Sequence, residues 1–190
     1  MSFDELLPWI IIGIIVAVII ILILYFVRIY NRFISLKNSS EATLGQIRVA
    51  MKKRLDMIEQ LLGSVKSYAK FEKETLERVT AMRAGISKAD PGDINEIERE
   101  SRSILGRLFA VAEAYPDLKT NSTVMELMGS ISGVEEEIAR QRYTFNNISQ
   151  QFNTLREAIP SNIVAKSMWL DKLDYLEFEE EIEIPPTIEF

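Results

Sequence analysis

Apolar residues change their spacing along this chain, and each pattern predicts a different element. From Leu6 to Val27 no position is charged and most are Ile, Leu or Val. At ~1.5 Å per helical residue this stretch reaches about 33 Å, the hydrocarbon width of a bilayer. Beyond it Leu44, Ile47, Met51, Leu55, Ile58, Leu62 and Val65 step by three or four, as the apolar face of an amphipathic helix does. Only the lone Gly45 and Gly63 interrupt the run from Tyr30 to Lys70, which holds no Pro. The apolar span and this helix are therefore predicted to be continuous.

A second, shorter helix is predicted over roughly Glu72 to Ser87 through Leu76, Val79, Met82 and Ile86, with Ala89-Asp90-Pro91-Gly92 as its stop. Asp93, followed three residues later by Glu96, reads as a capping box. It opens a third helix carrying Ile94, Ile97, Ser101, Ile104, Leu108, Val111 and Tyr115 and ending at Pro116. The fourth stripe is the longest: Val124, Leu127, Ile131, Val134, Ile138, Gln141, Phe145, Ile148, Phe152, Leu155 and Ile159, with Gln141 alone polar. A seam of that length predicts coiled-coil-like packing. Pro160-Ser161-Asn162 closes it, a short segment with Met168 and Trp169 follows, and Ile184-Pro185-Pro186 excludes helix near the end.

Short connections make the economical architecture all-α: a single N-terminal transmembrane helix followed by an up-and-down four-helix bundle of long helices. The expected division is an N-terminal stub and anchor over residues 1–29, the bundle over 30–175 and an acidic, Pro-containing tail over 176–190.

The span is too long for the apolar core of a cleaved signal peptide and ends without small residues, so it is expected to stay as an anchor. Trp9 at one end and Tyr25, Phe26 and Tyr30 at the other suit the headgroup level. Asp4 and Glu5 precede the span while Arg28, Arg32 and Lys37 follow it. The positive-inside rule therefore predicts an outside N-terminus and a cytoplasmic bundle, on the cell membrane or an internal prokaryotic one. Gly13 and Ala17 form one small-xxx-small pair, a common occurrence that adds little to the case for a homo-oligomer.

Composition narrows the chemistry. The chain has no His and no Cys, so triads built on His, thiolate zinc sites and disulfides are excluded. Twenty-two Lys plus Arg against 28 Asp plus Glu leave a net charge of −6, which argues against non-specific nucleic-acid binding. Glu135, Glu136 and Glu137 are consecutive and point in different directions round a helix, so a solvated face is expected rather than a metal site. Gly85, Gly92 and Gly106 lack phosphate-loop spacing. No cofactor and no catalytic residue are predicted.

Several strings then resemble one family. Tyr30-Asn31-Arg32-Phe33, Met51-Lys52-Lys53-Arg54-Leu55-Asp56-Met57-Ile58 and Val65-Lys66-Ser67-Tyr68-Ala69-Lys70-Phe71-Glu72 are similar in order and spacing to the opening motifs of the LemA family. Ala112-Glu113-Ala114-Tyr115-Pro116-Asp117-Leu118-Lys119 resembles its most specific string, and Phe145-Asn146, Phe152-Asn153, Ile159-Pro160-Ser161-Asn162 and Pro186-Thr187-Ile188-Glu189-Phe190 resemble later ones. The sequence departs from the pattern at Glu59-Gln60, at Thr43-Leu44, and at Phe145 and Phe152, where Tyr often stands. The resemblance implies a membrane-anchored bundle of four long helices without an established enzymatic activity. Some relatives are encoded beside membrane metalloproteases or other small membrane proteins, and one branch takes part in building magnetosome membranes.

Among the motif residues, Glu113 is expected to pair with a cation such as Arg54 while Tyr115, before Pro116, plugs the bundle end. Asn153 is expected to fix helix register by hydrogen bonding across the bundle, a role equally open to Asn31 and Asn146 or else replaced by water. In the tail, Ile184, Pro186, Ile188 and Phe190 either dock a partner as an extended peptide or fold back, with Trp169, over apolar surface. Fold-back is preferred because exposed Trp, Ile and Phe together invite aggregation. Function is expected to be an interaction module for a membrane-associated protein such as a protease or membrane-remodelling machinery, or else a self-associating scaffold.

Overall fold

The computed structural model describes residues 3–66 and 73–177, and among them every regular element is helical. Helix α1 (Phe3–Val65) joins the apolar span and the first amphipathic stripe without a break. Leu6 to Val27 turns its large apolar side chains outward on every side. A helix apolar all round and uncovered by protein is favourable only in hydrocarbon, so this part of α1 fits a single-pass membrane anchor. There follow α2 (Lys73–Gly85), a 3-10 turn (Ile86–Lys88), α3 (Pro91–Ala114), α4 (Pro116–Lys119), α5 (Ser122–Glu157) and α6 (Ser161–Ser167).

Contacts divide the chain into two compact units. The first takes residues 3–39 of α1 and Ile148–Leu173. Its core is Phe33 and Leu36 of α1, Phe152 of α5, and Val164 and Ala165 of α6. Phe33 and Phe152 pack edge to face, with centroids 5.4 Å apart and planes at 76°, a favoured aromatic geometry. Beside them the Arg32 guanidinium donates to Gln151 Oε1 at 2.9 Å.

The second unit takes Ser40–Asn147 and residues 174–177. Ile47, Met51, Leu55 and Ile58 of α1 pack with Val79 and Met82 of α2, Ile104 and Leu108 of α3, and Ile131, Val134 and Ile138 of α5. Arg48 donates twice to Ala89 O, at 2.9 and 2.7 Å, tying the end of the 3-10 turn to α1.

Local details differ from the sequence expectations. The α3 cap is Asp90, not Asp93: Asp90 Oδ1 accepts from the Asp93 N–H at 2.8 Å, and Asp93 Oδ2 accepts from the Asp90 N–H at 3.1 Å. Pro91 then occupies the first helical position, where its missing N–H has no helical partner to lose. The chain does break at Ala89-Asp90, and the Pro-Gly pair that follows opens the next helix. In α2, Thr75 is buried and Leu76 exposed, because the inward face runs through Thr75, Val79, Met82 and Ile86. Ile159 falls beyond the end of α5 and is 85% exposed. The segment after Pro160 forms α6.

Candidate functional site

The most concentrated polar chemistry among the described residues lies inside the second unit. Arg54 is fully buried on the apolar stripe of α1. Its Nη2 donates to Glu98 Oε2 at 2.8 Å and to Ser101 Oγ at 2.5 Å, both on α3, while Nη1 donates to Glu135 Oε1 of α5 at 2.8 Å. Arg102 Nη2 bonds Glu98 Oε1 at 2.9 Å and Glu135 Oε2 at 3.2 Å. Arg142, also buried, stands 3.5 Å from Glu98 Oε1. Burial pushes the Glu98 carboxyl up, but the charge and hydrogen bond of Arg54, the bond from Arg102 and the charge of Arg142 outweigh it and hold the group below its ordinary value.

This arrangement ties α1, α3 and α5 together. Glu98 is held ionised, so it is a poor proton donor. The Ser101 hydroxyl accepts from Arg54 and donates to Ile97 O at 2.5 Å, which commits its proton. No group of three or more acidic residues able to hold a metal occurs among the described residues. A cleft of about 490 Å³ between α3 and α5 is lined by Leu105, Gly106, Phe109 and Ile131 beside Arg102 and Glu135.

A second device anchors chain that has no sheet to join. In the first unit Asn153 Nδ2 donates to Leu173 O at 2.9 Å and its Oδ1 accepts from the Leu173 N–H at 2.9 Å. In the second, Asn146 does the same for Leu176, at 2.7 and 2.8 Å. Asn95 Oδ1 accepts from the Glu177 N–H at 3.0 Å. A primary amide presents a donor and an acceptor side by side, so one Asn satisfies both polar groups of a backbone residue.

The residues singled out from sequence are scattered. Tyr30 and Asn31 are exposed on α1. Glu113 is exposed near the end of α3 and is not the partner of Arg54, whose carboxylates are Glu98 and Glu135. Tyr115, expected to plug the bundle end, is exposed where α3 gives way to Pro116, the first residue of α4. Asn153 is buried, and it bonds the backbone of Leu173 in the irregular segment after α6. Glu135, expected on a solvated face, is half-buried against Arg54 and Arg102. Trp169 covers nothing, being 90% exposed. The motif residues Ser67 to Glu72 and the tail residues Ile184, Pro186, Ile188 and Phe190 lie outside the described residues.

Glu98, Ser101, Arg102 and Arg142 were not foreseen as a cluster. The readable signal was positional: Arg54, Glu98 and Arg142 each occupy a place on an otherwise apolar stripe, between Met51 and Ile58, Ile94 and Ser101, and Ile138 and Phe145. A charge at such a place needs a partner of opposite sign.

An apolar N-terminal span and a helical bundle tied by an internal ion cluster define a membrane-associated helical protein. The chain belongs to the LemA family, whose profile matches residues 43–190. It is 30% identical to Protein LemA of Metamycoplasma hominis, over 77% of this chain and 68% of that protein. It is also similar to Magnetosome protein MamQ of Magnetospirillum gryphiswaldense, at 20% identity over 77% of this chain and 64% of the relative. Magnetosome protein MamQ 2 of Paramagnetospirillum magneticum is 21% identical over 78% of this chain and 64% of its own length. The chain thus spans less than two thirds of either magnetosome protein.

Proposed function

We propose that this protein is a non-enzymatic interaction module, fixed to a membrane by α1 and presenting its helical bundle on the cytoplasmic side to a membrane-associated protein. The observation that carries this reading is the continuity of α1, in which one helix provides both the apolar span and a wall of the second unit's core. Such a helix carries the span and packed residues in one unbroken element. The commitment of the polar cluster to internal pairing supports a role outside catalysis. The charge asymmetry about the span supports the cytoplasmic assignment.

Chemical crosslinking in intact membranes, followed by purification of the full chain and of a variant lacking residues 178–190, tests the proposal. A discrete heterologous partner supports an interaction module, and its loss on truncation assigns the contact to the tail. Crosslinks exclusively between copies of this chain support the second reading, a self-associating scaffold in membrane shaping, which the similarity to MamQ favours. Protease added outside intact cells should spare the bundle, and its digestion there would reverse the topology.

A further inference from the structure

Three large apolar residues of the first unit stand in the open: Ile159 is 85%, Ile163 65% and Trp169 90% exposed. Trp169 also has φ +51°, a left-handed conformation costly for any side chain with a Cβ. It sits at the end of α6, where the Leu170 N–H bonds Ala165 O at 3.2 Å and the Trp169 N–H bonds Lys166 O at 3.2 Å. This is the helix-ending motif that ordinarily places Gly at the left-handed position. A Trp stands there instead, with its indole uncovered by the rest of the unit.

Contacts within the same unit fix the height of these residues relative to the span. Helix α1 leaves the unit after Ser39 and α5 enters it at Ile148, so the two helices run in opposite directions through it. Phe33 against Phe152 and Arg32 against Gln151 set their alignment. Seven residues beyond Phe152 is Ile159, and seven before Phe33 is Phe26, at the edge of the apolar span. The step to Phe26 is about 10 Å of helix, and the step to Ile159 is about 8 Å of helix to Glu157 followed by two residues past its end. Arg156 Nε donates to Leu170 O at 2.8 Å, which ties the chain next to Trp169 to the last turn of α5. Each interfacial layer of a bilayer is on the order of 5–8 Å deep.

We infer that Ile159, Ile163 and Trp169 insert into the headgroup layer of the bilayer spanned by α1, giving the protein a second contact with lipid beside its anchor. This rests on the reading of α1 as a membrane span. Indole prefers that layer, and Ile159 and Ile163 reach the acyl boundary below it. Arg28, Arg32, Lys37, Arg156, Lys166 and Lys172 outnumber Glu157 and Asp171 beyond the span in this unit, which adds attraction to anionic headgroups, so zwitterionic lipid isolates the apolar contribution.

The chain contains two Trp, Trp9 in the span and Trp169, and each reports separately once the other is replaced by Phe. Full-length Trp9→Phe and Trp169→Phe proteins would be reconstituted into phosphatidylcholine vesicles brominated on the acyl chain close to the headgroup. Quenching of both variants is the expected result. Adding Ile159→Ser and Ile163→Ser to Trp9→Phe should shift docking by on the order of tenfold per lost contact and restore acrylamide access to Trp169. All the replaced side chains are exposed in the protein, so the fold is retained. Quenching of Trp9 with none of Trp169 overturns the inference and leaves the anchor standing. Quenching of neither overturns both.

Discussion

Arg54 and Glu98 meet at 2.8 Å with the guanidinium wholly shut off from solvent. Two buried cations, Arg54 and Arg142, depend on this carboxylate. Glu98→Gln keeps the shape and removes the charge, so it should destabilise the chain by about 3–5 kcal/mol, as broken buried pairs do. Glu136→Ala, which loses an exposed pair with Arg140 at 3.5 Å, should cost less than about 0.5 kcal/mol. Guanidinium denaturation of both proteins in the same detergent measures the difference, and equal costs would refute the assignment of the cluster as buried.

The same carboxyl sets the acid limb of stability. Its folded-state value lies below the ordinary one, so the unfolded chain takes up the proton first as pH falls. The stabilisation is complete above the unfolded value, about 4.3, and drains away as pH drops through the lower folded value. Melting temperature should fall below about pH 4.3 in the parent, and the Glu98→Gln protein should lose less over that range. Parallel acid limbs would show that other carboxylates govern it.

Asn146 holds both polar groups of Leu176. Asn146→Ala leaves a buried residue's backbone without that donor and acceptor and should cost about 1–3 kcal/mol. Hydrogen exchange should accelerate at the Leu176 amide while amides in the middle of α3 stay protected. Unchanged exchange at Leu176 would show that another contact holds the segment.

Phe152 joins the first unit through its contact with Phe33. Phe152→Ala should cost about 3–5 kcal/mol, whereas Phe152→Tyr should cost more than a surface change only if the added hydroxyl finds no acceptor. Thermal unfolding in micelles reads both.

Periodicity made much of this fold legible. Stripes at three and four residues located α1, α3 and α5, and the lack of a breaker after Val27 predicted that anchor and first bundle helix are one. Helix ends were less readable, because Pro91 serves equally to stop one helix and to start another; the Asp90 side chain decides between them. The ion cluster was partly visible, since Arg54 was expected to pair across the bundle, but its partner lies 44 residues away in sequence rather than at Glu113. Sequence spacing fixes which face a residue occupies, and only packing fixes which turn of another helix lies opposite. The Asn clamps were hidden for a related reason: an amide reads the same whether it bonds a helix, an irregular segment or water.

The Arg54 cluster also limits how the second unit can move. Its bonds cross from α1 to α3 and from α1 to α5. A ratchet of one helix past another by a single turn, about 5.4 Å, would carry the guanidinium off both carboxylates and into hydrocarbon side chains. Sliding is therefore closed to this unit as a way of passing a signal, and whatever binds its surface meets helices that either keep their alignment or come apart altogether.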